Sequence, residues 1–264
     1  MTHYETILLE KYERVALITL NRPEKLNSFN STLRREFCDV ALKINKDDNI
    51  WVVVLTGAGR AFGAGADLSD TESPLPLVGD QVEHMLNEEY KPGIMEIYNA
   101  PKPWVAAING PCAGISYSYA MACDLVLMAA TSYLYQPFSN IGLIPDGGAT
   151  KLLPELIGPK RAYELMVFGE KVGAEKAIQI GLANRILPDK RFLEETMTFA
   201  RDLAGRSPLS LRYTKEALHF SATSTLADSI SKEAAVQSYC VDSEDARDAA
   251  LAFFEKRKPN WAGK

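Results

Sequence analysis

The chain has 264 residues, 47% hydrophobic and 24% charged, which is enough to bury one large core, or one core plus a smaller helical region, and too apolar for a disordered protein. Its 34 acidic and 29 basic residues give a net charge of −5 and a pI near 5.4, and the Lys and Arg residues are scattered, so a nucleic-acid partner is disfavoured. No apolar run approaches the roughly 20 residues of a membrane span, and MTHYETILLE lacks the basic start and apolar centre of a secretory signal, so the expectation is a soluble cytoplasmic protein with no membrane partner.

From the N-terminus, TILLEKYERVALITL reads as a hairpin turning at Tyr12, Glu13 and Arg14, and Asn21-Arg22-Pro23 stops its second strand. Residues 28–44 place Leu33, Phe37, Val40, Ala41 and Ile44 at spacings of three and four, the pattern of an amphipathic helix, and Trp51 to Leu55 is a buried strand. The glycine run TGAGRAFGAGADLSD follows directly. It admits three readings: a dinucleotide loop whose GxGxxG spacing is off, a mobile surface loop, or a turn at Ala64-Gly65-Ala66-Asp67 that points the Ala66 N–H into a cleft. Residues 71–93 read as an irregular insertion followed by a helix from about Gln81 to Tyr90. Its acidic residues suit a solvated face, with Glu88 and Glu89 as minor catalytic candidates.

Trp104 to Ile108 is again strand-like, broken at Asn109-Gly110-Pro111 and restarting as a small-residue segment of helical spacing through Ile115, Ala120 and Cys123. A strand, a tight turn and a helix N-terminus result. Such an end carries backbone N–H groups without intrahelical acceptors and favours negative charge, so it can hold an oxyanion; it can equally be a packing device. Leu125 to Ala129 and Tyr133 to Gln136 are further strands. Asp146, in Pro145-Asp146-Gly147-Gly148, can cap the helix that begins near Gly148 or point into an apolar pocket. The two roles predict opposite pKa shifts, down for a cap and up for a buried acid.

Beyond Lys160 the pattern is mostly helical, over 160–168, 173–179, 191–205, 209–220, 224–239 and 243–256, with an extended run from Ala183 to Leu187. A soft boundary near 195 divides an α/β core (1–195) from a helical C-terminal region (196–264). Cys38, Cys112, Cys123 and Cys240 form no CxxC pair and the histidines His3, His84 and His219 are isolated, which argues for reduced thiols, no metal site and no histidine-based hydrolase.

Five segments in order, NRPEKLNSF (21–29), AFGAGADL (61–68), INGPCAGISYSYAMACD (108–124), FSNIGLIPDGGAT (138–150) and AFFEKRKPNW (252–261), resemble the crotonase (enoyl-CoA hydratase/isomerase) superfamily from end to end. The resemblance implies an α/β spiral of repeated ββα units with C-terminal helices used for trimerisation, giving a homotrimer or a homohexamer built as a dimer of trimers. It implies an acyl-CoA thioester substrate, coenzyme A being part of that substrate and no other cofactor being needed, and an enolate held by two backbone N–H groups. By position these belong to Ala66 and to Ile115, where glycine is usual, so the Ile115 side chain must fit beside the acyl group. CoA contacts fall by the same resemblance at Lys25, along Ala64, Ala66, Asp67 and Leu68, and at Phe253 and Lys256, the last two reaching from an adjacent subunit.

Hydratases of the superfamily place two glutamates around a water molecule, and those positions here are Ser118 and Phe138. Asp146 stands where many of its isomerases carry their single carboxylate. The resemblance therefore implies an isomerase that moves a double bond from C3–C4 to C2–C3, with the IGLIPDGG form similar also to isomerases of ring-derived phenylacetyl-CoA intermediates. Hydration, non-catalytic acyl-CoA binding and a nicotinamide-dependent dehydrogenase built on residues 57–65 remain as alternatives.

Overall fold

The computed structural model describes residues 3–70, 72 and 78–264, so part of the expected irregular insertion, at 71 and 73–77, lies outside the described residues. β1 (Ile7–Tyr12) and β2 (Val15–Leu20) form the hairpin, followed by α1 (Ser31–Asn45) and β3 (Val52–Gly57). α2 (Gly79–Met85) passes through a π-helical turn, Leu86–Tyr90, into α3 (Lys91–Tyr98), and β4 (Trp104–Ile108), β5 (Pro111–Ala113) and α4 (Ile115–Ala122) come next. The chain continues through β6 (Leu125–Ala129), β7 (Tyr133–Tyr135), α5 (Ala149–Ile157), α6 (Pro159–Phe168), β8 (Lys171–Gly173), α7 (Ala174–Ile180) and β9 (Arg185–Leu187). It closes with α8 (Phe192–Ala204), α9 (Pro208–Ser221), α10 (Leu226–Asp242) and α11 (Glu244–Glu255).

The larger sheet has the order β1-β2-β3-β4-β6-β9, antiparallel at β1/β2 and parallel elsewhere, and the smaller one runs β5-β7-β8. Period-two alternation divides the apolar strands between two cores. Ala16, Ile18, Val53, Leu55, Trp104, Ala106 and Ile108 face α1, α3 and α4, whereas Val15, Leu17, Val52, Val54, Val105 and Ala107 face Phe192, Met197, Ala200 and Ala204 of α8. The boundary expected near residue 195 thus falls inside α8, a helix whose apolar stripe covers one face of the sheet.

The expected helix from Gln81 to Tyr90 runs eight residues further, because the π-helical turn breaks the i→i−4 pattern where Pro92 lacks a donor, at the start of α3. β8 exists only by pairing with β7, a non-local contact that periodicity does not report. α9 is tied to the core by Lys215, whose buried Nζ donates to Ile97 O and pairs with Asp124 Oδ2, both at 2.9 Å.

Candidate active site

The chain leaving β3 does not begin a helix. It runs beside β5 through a parallel bridge between Gly63 and Cys112, with Gly63 N–H donating to Pro111 O (3.1 Å) and Ala113 N–H to Gly63 O (2.8 Å). The helix that a dinucleotide loop requires is absent from the described residues there, which removes the structural basis of the dehydrogenase alternative.

A second bridge pairs Phe29 with Ala66: Phe29 N–H donates to Gly65 O (2.8 Å) and Asp67 N–H to Phe29 O (3.0 Å). In this parallel register the N–H of Ala66 itself faces away from Phe29, and it has no acceptor among the described residues. Ile115 is the first residue of α4, so its N–H likewise has no intrahelical acceptor and finds none elsewhere among the described residues.

Two glycines bring these turns together. Gly65 (φ 101°) and Gly114 (φ 55°) occupy conformations that L side chains rarely adopt, and a Cβ on Gly65 would stand 3.2 Å from Ala113 O. The Gly65 N–H is fixed by the Ser116 hydroxyl (3.0 Å) and the Gly114 N–H by Tyr135 O (3.0 Å). With their neighbouring amides satisfied, the Ala66 and Ile115 N–H groups remain as the free donors of two adjoining turns. Such a pair is suited to an oxygen that acquires negative charge.

Asp146 lies on the turn before α5. Its side chain makes no cap to that helix, whose N-cap is Gly148, so the capping expectation is not met. Oδ1 is instead buried without a hydrogen-bond partner among the described residues, and burial raises the carboxyl pKa to about 7 against a small opposing bond from its own backbone N–H. The turn is held against α4, with the Ser118 hydroxyl donating to Asp146 O at 2.8 Å. A Cβ on Gly147 would meet Ile115 Cδ1 closely, Ser118 Cβ at 2.7 Å and Ile94 Cδ1 at 3.0 Å. The Ile115 side chain therefore packs under the Asp146–Gly147 turn, 2% exposed.

Neither position at which the resemblance puts a hydratase glutamate holds an ionisable group. Ser118 is fully buried with its hydroxyl bonded to Asp146 O, and Phe138 is buried with Cζ 3.9 Å from the Cβ position of Gly114. Of the minor candidates, Glu88 is exposed and Glu89 is engaged by Arg34 Nε at 2.7 Å.

At the rim, Lys25 Nζ donates to Ser69 Oγ (3.2 Å), Ser69 Oγ donates to Asp67 Oδ1 (2.7 Å), and Arg22 Nη2 pairs with Asp67 Oδ2 (2.8 Å). Burial pushes the Asp67 carboxyl up, but Ser69 and Arg22 outweigh it and its pKa lies below the usual value. Ala64 N–H donates to Leu26 O (3.0 Å), and Leu68 is 60% exposed. Lys25, Ala64, Ala66, Asp67 and Leu68 are thus gathered on one connected rim. Phe253 and Lys256 are exposed residues of the α11 terminus and make no side-chain hydrogen bond or ion pair to that rim among the described residues.

Four contributors escaped the sequence reading. Arg22 and Asn27 tie the 21–29 segment to the glycine loop, Asn27 Nδ2 donating to Ala58 O (2.9 Å) and Ala61 O (2.8 Å), and Ser116 and Ser118 fasten the Gly65 and Asp146 turns to α4. The sequence shows only two serines in a small-residue segment, and their main-chain partners lie far along the chain.

The fold, a sheet-and-helix spiral closed by C-terminal helices, is that of the crotonase superfamily. The enoyl-CoA hydratase/isomerase family model matches residues 10–264, and the chain belongs to that family of acyl-CoA enzymes. It is 37% identical over 261 residues to a probable enoyl-CoA hydratase of Rhodobacter capsulatus, covering 99% of each chain. It is 35% identical over 264 residues to the 1,2-epoxyphenylacetyl-CoA isomerase of Escherichia coli, covering 98% of this chain and 99% of the relative. The crystal structure of an enoyl-CoA hydratase from Bacillus anthracis superposes with a TM-score of 0.94 at 30% identity, covering 98% of this chain and all of that one.

Proposed function

We propose that the chain is an enoyl-CoA isomerase shifting a double bond from C3–C4 to C2–C3 with Asp146 as its single acid/base. The observation that carries this reading is the Asp146 carboxyl, its Oδ1 buried without a partner among the described residues and its pKa raised by burial to about 7, on a turn bonded to the helix that begins at Ile115. The thioester carbonyl docks on the Ala66 and Ile115 N–H groups, Asp146 takes a proton from C2, and negative charge spreads from the carbonyl oxygen to C4. The same carboxyl returns the proton at C4, so no atom is gained or lost and no cofactor is consumed. A base with a pKa near the working pH is suited to both halves of that shuttle, worth about 10² to 10⁴-fold in rate. Lys25 and the Ala64–Leu68 rim are assigned to the coenzyme A portion, together with Phe253 and Lys256 of an adjacent subunit.

The relatives named as hydratases leave hydration as the competing chemistry. Against it stand Ser118 and Phe138, neither of which transfers a proton to or from water at ordinary pH. A ring-type isomerisation is favoured by one specific observation, the 35% identity to the Escherichia coli 1,2-epoxyphenylacetyl-CoA isomerase. The assembly proposed is a homotrimer or homohexamer, supported by the exposed apolar residues Leu226, Leu251, Phe253 and Phe254 on the C-terminal helices. A cytoplasmic setting is supported by four free thiols and no disulfide.

The test is incubation with matched 2-enoyl, 3-enoyl and ring-epoxide CoA thioesters, followed by mass and ultraviolet absorbance. Conversion of the 3-enoyl thioester to a conjugated product of unchanged mass, abolished in Asp146→Asn, supports the reading. Addition of the mass of water, conversion of the epoxide alone, tight binding without turnover, or near-wild-type turnover by Asp146→Asn overturns it.

A further inference from the structure

We propose that Ser118 is a positioning residue that fastens the Asp146 turn to α4, so that the base and the Ile115 N–H donor keep one fixed separation. The inference rests on the assignment of Asp146 as the base. Ser118 is fully buried in the middle of α4, one turn beyond Ile115 and on the same face. Its hydroxyl donates across 28 residues of sequence to the carbonyl of the very residue whose side chain performs the chemistry.

That carbonyl also accepts the Ala149 N–H at 3.1 Å, so one oxygen joins α4 to the start of α5. The packing around it leaves no slack: Gly147 (φ 60°) faces Ile115 Cδ1, Ser118 Cβ and Ile94 Cδ1 with no room for a side chain of its own. Among the described residues the buried hydroxyl is satisfied by the turn alone, and losing it leaves a main-chain oxygen with one bond fewer and a turn free to lift toward water. The side chain of Asp146 is touched only indirectly. What Ser118 controls is where that carboxyl sits and how dry it is.

Few other charges complicate a titration of this turn. Burial is what raises Asp146, and the groups that feel its charge are Tyr90, at the end of the π-helical turn, and Tyr119 of α4, both buried phenols raised above their ordinary value. Arg34 and Glu89 pair with each other, and Arg34 Nη1 also donates to the Tyr90 hydroxyl at 3.5 Å. Tyr90 and Tyr119, both raised above the ordinary phenol value, stay neutral where Asp146 titrates, so its midpoint reports chiefly its burial.

The experiment compares wild type, Ser118→Ala, Ser118→Thr and Gly147→Ala, with thermal melting to verify folding. Two readouts are taken: kcat and KM on the 3-enoyl-CoA thioester across pH, and carboxyl titration by carbon-13 NMR on aspartate-labelled protein, with Asp146→Asn assigning the resonance. Ser118→Ala is expected to lower kcat roughly fivefold to tenfold at unchanged KM, the loss of one neutral hydrogen bond, and to move the Asp146 midpoint down toward the ordinary carboxylate range. Ser118→Thr, which retains the donor and adds one methyl, is expected to restore the wild-type midpoint, and Gly147→Ala, whose Cβ forces the turn off Ile115 Cδ1 and Ser118 Cβ while the hydroxyl itself is kept, is expected to reproduce the fall. A Ser118→Ala protein with wild-type kcat and midpoint, or with lowered melting alone, overturns the proposal. The NMR midpoint needs no turnover, so an Asp146→Asn enzyme that remained active would refute the assignment of the base while leaving the fastening measurable.

Discussion

Gly65 and Gly114 pass so closely that a Cβ on Gly114 would stand 3.4 Å from the Gly65 Cα. The two N–H groups proposed to hold the substrate oxygen belong to the residues that follow these glycines, so the approach of one main chain to another sets the width of the hole. Gly114→Ala places a side chain at φ 55° and ψ −132°, a region open almost only to glycine, so the turn must shift although the new Cβ would make only ordinary contacts with Gly65 and Phe138. The expected result is a fall in kcat of about 10² to 10³-fold, the loss typical of one misplaced oxyanion donor. Gly181→Ala is the control: it strains a φ of 86° at the end of α7 and is expected to lower melting without lowering kcat.

The raised carboxyl of Asp146 makes opposite demands on rate and stability. With a folded-state pKa of about 7 against an ordinary aspartate value of 3.8, the protein resists ionisation that the unfolded chain accepts. Its contribution to stability is full below the unfolded pKa and is lost as pH rises from about 4 to 7, at a cost approaching about 4 kcal/mol. The rate moves the other way, because only the ionised form accepts a proton: kcat is expected to climb through a midpoint near 7 and level above it. Asp146→Asn removes both effects, so melting at pH 8 is expected to rise above wild type while melting at pH 4 stays level, read by calorimetry across that range.

Much of this geometry was legible in the chain before any coordinates. Alternation and apolar runs located β2, β3, β4 and β6, the last two to the residue, and the two readings of Asp146 differed in the sign of a pKa shift that the structure then supplied. The α2–α3 path was not legible, because Pro92-Gly93 reads as a stop and only a π-helical turn lets the helix absorb it. Ser116 and Ser118 were invisible for a different reason. Their partners, Gly65 N–H and Asp146 O, are main-chain groups 51 and 28 residues away, and local pattern carries no information about them.

Arg34 links the turn after the glycine loop to the π-helical turn. It is 2% exposed, with Nε 2.7 Å from Glu89 Oε2 and Nη2 3.4 Å from Asp70 Oδ2, while Asp70 also receives the Ser31 N–H and hydroxyl at 2.8 and 2.7 Å. Arg34→Ala leaves Asp70 buried without its cation and is expected to cost about 3 to 5 kcal/mol in chemical denaturation. Glu89→Gln removes a half-buried charge and is expected to cost less, with kcat preserved. A large kcat loss in Glu89→Gln at wild-type KM would restore that glutamate as a catalytic candidate.

Phe253 and Phe254 stack edge to face near the end of α11 and are 80% and 81% exposed, an arrangement a monomer in water has no reason to keep. A partner subunit covering them would gain roughly 1.5 to 3 kcal/mol for each ring. Replacing Phe254 by Asp puts an unpaired charge into that contact, and the expected outcome is a smaller particle by light scattering at micromolar concentration, with melting that becomes concentration-dependent. Because Phe253 is assigned to coenzyme A across the subunit boundary, Phe253→Ala is expected to raise KM for the thioester more than it lowers kcat. A Phe254→Asp protein of unchanged mass in solution would mean that the assembly forms through another face, and a Phe253→Ala enzyme of unchanged KM would remove that residue from the CoA site.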